Sequence, residues 1–282
     1  LRAGIAEDKY DAAQKALNEG RIADAQTELE GIVSQFKASK VVPYARYSLA
    51  YIYVVQRQYG MAVAELEKLI ADSDMEKYYK DLLEQSMLLL AQCYTSQAAA
   101  LKKPEEKQPL FEKAEKTYTE FLKKFPQSEL REDALSGRGL CCFLLERLDD
   151  AARDLATVIK DYPKSDTLLD NQYMLGMVKA AQGAGLYQQF RKTKDKKKLQ
   201  ESDAKFEEAS KMFQEIVRDG RDIPLTSEAR YQLAEILFNA QKYDEALESY
   251  RAVVPKAVVI QKQNEKIERI MAENRQLVSQ KS

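Results

Sequence analysis

Residues 46–66 read RYSLAYIYVVQRQYGMAVAEL, and two positions in that run decide the fold: Ala50 and Ala62. Ala62 has Tyr59 three positions before it and Leu66 four after it. Residues at those offsets share one face of a helix, so a small side chain between two large ones marks a helix crossing. Two helices approach closely only where the crossing carries Ala or Gly and bulky side chains fill the ridges and grooves around it.

The same arrangement recurs in both directions along the chain. The small residues of the first helices are Ala13, Ala50, Ala91, Gly139, Gly176 and Ala234, and the matching second-helix alanines are Ala25, Ala62, Ala114, Ala151, Ala209 and Ala246. Three positions before each alanine stand Ile22, Tyr59, Phe111, Leu148, Phe206 and Tyr243, and four after stand Leu29, Leu66, Tyr118, Leu155, Phe213 and Tyr250. All are apolar or aromatic, which one helix–helix interface built six times requires. The spacing within a pair is twelve in four cases and longer in two, from Ala91 to Ala114 and from Gly176 to Ala209. The step to the next pair is twenty-five except from Ala62 to Ala91, where it is twenty-nine, so the basic stride is thirty-seven.

With Leu49-Ala50 followed by Tyr53, Leu90-Ala91 followed by Tyr94, and the partial matches Leu175-Gly176 and Leu233-Ala234, the chain resembles the tetratricopeptide-repeat family over nearly its whole length. The family's usual stride is about 34 residues, and the extra residues here fall between helix pairs. Two of those joins read Phe125-Pro126-Gln127-Ser128 and Tyr162-Pro163-Lys164-Ser165, where Pro stops one helix and Ser can cap the next. An aromatic-Pro-x-Ser join resembles the bacterial envelope subgroup that includes the lipoprotein of the outer-membrane β-barrel assembly machine and the coordinator of the Tol-Pal system. The resemblance implies an all-α, right-handed α-solenoid of about six helix pairs closed by a C-terminal capping helix. The repeats fall at about 6–38, 43–72, 84–127, 132–164, 169–222 and 227–254, with 255–282 as the cap. It also implies a periplasmic or envelope-associated place, with the cytoplasm as the alternative, because buried unpaired thiols suit either side.

Composition narrows the function classes. There is no histidine, which removes the usual general base, the commonest metal ligand and the neutral-pH switch together. Cys93, Cys141 and Cys142 are too few and too unevenly spaced for a zinc site or disulfide framework, and each falls in a helical apolar pattern, so they read as buried free thiols. The acidic pairs Asp149-Asp150 and Glu207-Glu208 lie on helix surfaces or ends, where solvation and the helix dipole account for them. No catalytic, cofactor or metal residue is assigned, and a small-molecule substrate is not expected. A net charge of −1 argues against nucleic-acid binding through bulk positive charge. No apolar run reaches membrane-spanning length, no leader-like segment opens the chain, and the start at Leu1 suggests a processed or trimmed chain.

The two long spacings place insertions near 95–109 and 182–202, inside helical hairpins. Pro104 and Pro109 make the tip of the first a turn. The second ends in Arg191, Lys192, Lys194, Lys196, Lys197 and Lys198, opposed only by Asp195. Such a tip could touch an acidic partner, lipid headgroups or nucleic acid; no aromatic interleaves with the lysines, a solvated end needs no partner, and Tyr187 and Phe190 are expected to pack along the hairpin. In the tail, Ile260, Ile267, Ile270 and Leu277, with Asn274 at a seam position, allow weak self-association through a coiled coil.

In arrays of this kind the first helices line the inner surface. Residues six and three before the small position, and one and four after it, share that stripe. In the second repeat these are Tyr44, Tyr47, Tyr51 and Val54. Tyr10, Tyr173 and Tyr231 repeat the position of Tyr47, where the other two repeats carry Leu88 and Ser136, while Glu7, Gln14, Gln85, Gln92, Asp133, Leu140, Asp170, Met177, Glu228 and Glu235 complete the stripe. The chain therefore reads as a non-enzymatic scaffold that binds peptide or protein segments on a tyrosine-lined, mildly acidic face. The candidate residues are Tyr10, Tyr44, Tyr47, Tyr51, Val54, Tyr173, Met177, Glu228, Tyr231 and Glu235. Tyrosine offers large contact area, a hydroxyl and few rotamers to freeze. The resembling proteins that hold acidic C-terminal tails use a clamp of Lys, Asn and Arg on this stripe; its absence here points to neutral, proline-containing or basic segments. The alternative reading is a spacer or oligomerisation arm of a longer envelope protein.

Overall fold

The computed structural model describes residues 2–220, 223–240, 242–253 and positions 258 and 261. The described residues form thirteen α-helices: α1 (Arg2–Asn18), α2 (Ile22–Gln35), α3 (Val42–Val55), α4 (Tyr59–Ile70), α5 (Asp74–Tyr78), α6 (Lys80–Ala100), α7 (Pro104–Lys124), α8 (Arg131–Leu144), α9 (Leu148–Asp161), α10 (Leu168–Thr193), α11 (Lys196–Asp219), α12 (Ile223–Asn239) and α13 (Tyr243–Arg251). The fold is all-α, with helices packed in consecutive pairs as a tetratricopeptide-type solenoid. The chain divides into two compact units, Leu1–Val158 and Ile159–Ser282. The capping helix and coiled coil expected over 255–282 lie outside the described residues.

The crossing points carry the fold in each unit. Ala13, Ala25, Ala50, Ala62, Ala91, Ala114, Ala151, Ala209 and Ala234 are 0% exposed and Ala246 is 1% exposed, with Gly139 and Gly176 buried beside them. The large residue four after the alanine lies against the small one. A Cβ at Gly139 would come within 3.0 Å of Leu155, and one at Gly176 within 2.8 Å of Phe213. Real Cβ atoms do not sit as close as the second distance, so glycine at 176 is what lets Phe213 lie down, while at 139 an added Cβ would press Leu155 aside by a few tenths of an ångström.

Ion pairs clamp the short pairs beside the crossing. Lys9 meets Glu28 at 2.7 Å, Arg46 meets Glu65, and Arg138 holds buried Asp154 with two hydrogen bonds of 2.7 and 2.8 Å. Successive repeats are joined by a tyrosine three positions after the small one. Tyr53 donates its hydroxyl to Glu30 at 3.3 Å, and Tyr94 donates to Glu67 at the equivalent place.

Turn geometry repeats as strictly. Seven positions after the small residue, the chain enters the left-handed region at Gly20 (φ 75°), Arg57 (φ 59°) and Glu146 (φ 59°), and the second-helix alanine follows five positions later. In the long pair of the second unit the same conformation falls on Lys194 (φ 58°), far beyond the equivalent position, Gly183. The insertion is thus shared almost equally between the end of α10 and the start of α11. From Gly183 to Lys194 the chain makes about three whole helical turns, so the packing face continues in register. Gly183 itself is helical and buried: Ser202 donates its hydroxyl to the Gly183 carbonyl at 2.8 Å, and a Cβ there would stand 3.2 Å from Phe206.

The other long pair turns through Leu101, Lys102 and Lys103, with Pro104 opening α7. Pro109 belongs to the helix rather than the turn, so only one of the two prolines marks the tip. At the joins the serines act two positions earlier than a true cap: Ser128 accepts from Leu130 N–H at 2.9 Å and Ser165 from Thr167 N–H at 3.1 Å, while the helix N-caps are Leu130 and Thr167. Ser39 occupies the same place after Phe36, accepting from Val41 N–H at 3.4 Å. The lengthened step between Ala62 and Ala91 holds α5, a helix too short for periodicity to reveal. No helix among the described residues is long and apolar enough to cross a membrane.

Candidate partner-binding surface

In the first unit the site is built on α3. Ala45, Leu49, Ala50, Ile52 and Tyr53 turn one face of this helix into the core. The remaining face carries Tyr44, Tyr47, Tyr51 and Val54. Tyr44 is 41% exposed and Tyr51 55% exposed, whereas Tyr47 and Val54 are half-buried against the core. Core packing alone does not require tyrosines held this far into solvent. Neighbouring elements extend the patch. The Tyr10 ring of α1 lies 6.3 Å from Tyr44, and Tyr79 meets Tyr44 edge-on at 5.7 Å. Gln14 donates to the Ser48 hydroxyl at 3.1 Å and ties α1 to α3.

Beside Tyr44 opens a cleft of about 800 Å³ between residues 37–44 and residues 72–79. Val41, Val42, Pro43 and Tyr44 form one wall, and Asp72, Asp74, Tyr78 and Tyr79 the other. Tyr79 donates its hydroxyl to the Lys40 carbonyl at 3.3 Å across the mouth, and Lys77 stacks over Tyr78 with its ammonium 4.7 Å from the ring. Burial raises the phenol pKa of Tyr47 first, with the neighbouring Tyr51 adding to it; burial likewise raises Tyr79, with Tyr44 next. These phenols stay neutral at physiological pH and serve as hydrogen-bonding and contact groups.

The second unit holds the other candidates in a different state. Tyr173 is half-buried, with its ring 5.6 Å from Phe213 and the Met177 side chain packed on the same core. Its pKa is raised by burial first and by Glu228 of α12 second, while a hydrogen bond with Gln232 acts the other way. Tyr231 is 46% exposed and meets Tyr250 edge-on at 6.0 Å. The Tyr250 hydroxyl donates to Glu235, and that bond pushes the phenol up to about 12. Glu235 is therefore occupied within its own helix pair, and Glu228 is exposed.

Tyr10, Tyr44, Tyr47, Tyr51 and Val54 thus share one surface, while Tyr173 and Met177 divide their contact between surface and core. Tyr78, Tyr79 and the cleft escape sequence reasoning because they depend on α5; the lengthened step from Ala62 to Ala91 is the signal that a further element lies there. The three thiols lie buried, and burial pushes Cys93 up to about 12 and Cys141 and Cys142 up to about 11, so they are poor nucleophiles.

Residues 2–138 match a family model described as an outer membrane lipoprotein, and residues 201–257 match a tetratricopeptide-repeat model. No curated protein matches. Among solved structures, a tetratricopeptide-repeat protein from Parabacteroides merdae is similar at 15% identity and a TM-score of 0.51, covering 91% of this chain and 96% of that one. A thermophilic repeat protein of Thermus thermophilus also aligns, at 15% identity and a TM-score of 0.48, over 81% of this chain and 98% of its own.

Proposed function

We propose that the chain, whose residues 201–257 match a tetratricopeptide-repeat model and whose helices pack in consecutive pairs, is a scaffold for protein–protein contact that holds an extended partner segment on the α1–α3 face. The observation that carries this reading is the exposure of Tyr44 and Tyr51 on a helix whose opposite face is fully packed. Tyr10, Tyr47 and Tyr79 surround them, so a guest chain would meet aromatic area with several hydroxyls. Tyr173, Glu228 and Tyr231 of the second unit supply a comparable, more acidic surface.

The guest is a neutral, proline-containing or basic segment. The inward positions named above carry no Lys, Arg or Asn, so an acidic tail has nothing there to neutralise it. Recognition rests on shape and side-chain complementarity. The match of residues 2–138 to an outer membrane lipoprotein family supports work at the cell envelope.

Peptide-array binding by the full chain and by the triple variant Tyr44→Ala, Tyr47→Ala, Tyr51→Ala tests the reading. Neutral and basic peptides should be retained by the parent and lost by the variant. Micromolar binding of acidic C-terminal peptides, abolished by the same substitutions, would overturn the proposed preference.

A further inference from the structure

The α10–α11 hairpin carries a second surface, chemically unlike the first. Residues 191–198 hold six basic side chains and one acidic one in a chain whose net charge is −1. The acidic member, Asp195, is consumed by the fold: it is the N-cap of α11 and accepts from Lys197 N–H at 2.9 Å. Lys198 pairs with Glu201 at 2.8 Å and Lys197 reaches the same carboxylate at 3.9 Å. Among the described residues no acidic side chain pairs with Arg191, Lys192, Lys194 or Lys196. The first turn of α11 contains no acidic residue and three lysines, the opposite of what the helix dipole favours. Charge is therefore concentrated here against the interest of the helix itself.

Aromatic side chains adjoin that charge. Tyr187, Phe190 and Arg191 are spaced as one face of α10, and Lys194 is its left-handed C-cap. Tyr187 is 44% exposed rather than packed along the hairpin, its ring is 6.0 Å from Phe190, and the Lys194 ammonium stands 5.9 Å from the Phe190 ring. An exposed tyrosine and a half-buried phenylalanine followed directly by a run of cations suit the boundary between water and acyl chains, where the rings sit at headgroup depth and the ammonium groups meet phosphates.

We propose that this hairpin tip docks on an anionic phospholipid surface. Length supports a planar partner. The added turns of α10 carry the tip about 16 Å beyond the point where the short pairs turn. That distance is about twice the Debye length at physiological salt, so a surface touching the tip is screened from the acidic groups nearer the crossing of the same pair. A nucleic acid would instead profit from a basic track along the helices, yet below the tip Lys179 and Lys205 are taken up by Glu208, at 2.7 and 3.2 Å.

Co-sedimentation of the full chain with vesicles tests the assignment. The chain should pellet with mixed phosphatidylglycerol–phosphatidylcholine vesicles at low salt, and neither with pure phosphatidylcholine nor at high salt. The variant Lys192→Gln, Lys194→Gln, Lys196→Gln, which removes three of the four cations without an acidic partner, should lose on the order of a hundredfold in partitioning, with unchanged far-ultraviolet circular dichroism. Deleting residues 184–204 supplies a second variant, which should not pellet. Failure of the parent to pellet, equal pelleting of the glutamine variant, or tip-dependent binding of a single-stranded RNA oligonucleotide without vesicle binding would each overturn the proposal.

Discussion

The α3–α4 and α10–α11 pairs are built on the same crossing and put their surplus sequence to different use. In α3–α4 the connection is short, Ala50 faces Ala62, and the outer face of α3 is spent on tyrosines. In α10–α11 the crossing is tighter, with Gly176 under Phe213, and the inserted turns carry a basic tip away from it. Surface chemistry can vary freely between repeats so long as the small residue, the large residue and whole helical turns are preserved. Each condition can be broken separately.

The largest effect should come from the filled crossing. Phe213 and Leu66 are both 0% exposed, so Phe213→Ala should cost about 3–5 kcal/mol in the second unit and Leu66→Ala about 2–5 kcal/mol in the first. Urea titration measures both. If Phe213→Ala proved nearly neutral, the equivalence of the two crossings would be lost.

A smaller effect separates glycine from alanine at the same position. Gly176→Ala forces a Cβ onto Phe213 and should destabilise by about 1–3 kcal/mol, and pairing it with Phe213→Leu should recover part of the loss. Tyr51→Ala, at an exposed site of α3, should leave stability within about 0.5 kcal/mol while weakening peptide binding.

Alkali should distinguish the units. The thiols of the first unit have a folded-state pKa of about 11 to 12 against a reference of 9, so the protonated form is favoured by folding. Their contribution is whole below pH 9 and is lost as pH rises through 11 to 12. The urea midpoint of the first unit should therefore begin to fall above pH 9, whereas Tyr250 delays the matching loss in the second to between pH 10 and about 12. At about pH 9, where an unperturbed thiol is half ionised, iodoacetamide should label no thiol in the native chain and all three in guanidinium, a test of whether burial governs their reactivity.

Smaller still is the effect at the turns. Arg57→Gly and Lys194→Gly relieve a left-handed conformation and should each gain up to about 1 kcal/mol by thermal melting. Removing residues 184–204 should change the melting temperature least of all. It joins Gly183 to Lys205 and Phe206, with Ala209 five positions after the glycine, the spacing found from Gly20 to Ala25. A variant that fails to fold would show that the arm is part of the second unit's core rather than an extension of it.

Much of this is legible in advance because helix crossings impose a periodic steric rule. The twelve small residues are identifiable from their large neighbours, and all twelve are buried. The thiols are readable for the same reason. Less legible is α5, since a helix barely longer than one turn leaves no periodicity to read, and with it the cleft lined by Tyr78 and Tyr79. The joining serines are recognisable as local hydrogen-bond acceptors but not as the residues that precede the caps, because a serine two positions ahead of the first free N–H competes with the N-cap itself.

By itself the sequence determined the pairing of helices, the stride and which tyrosines share one stripe of the first helices, since each depends on spacing along a helix of fixed pitch. Only the tertiary structure decided how far each tyrosine stays in water: Tyr51 is open, whereas Tyr173 leans on Phe213. It also decided that the basic tip has aromatic company, with Tyr187 exposed and Phe190 beneath Lys194. Exposure is a property of what neighbouring helices cover, and no linear pattern encodes how much of a side chain the next helix will reach.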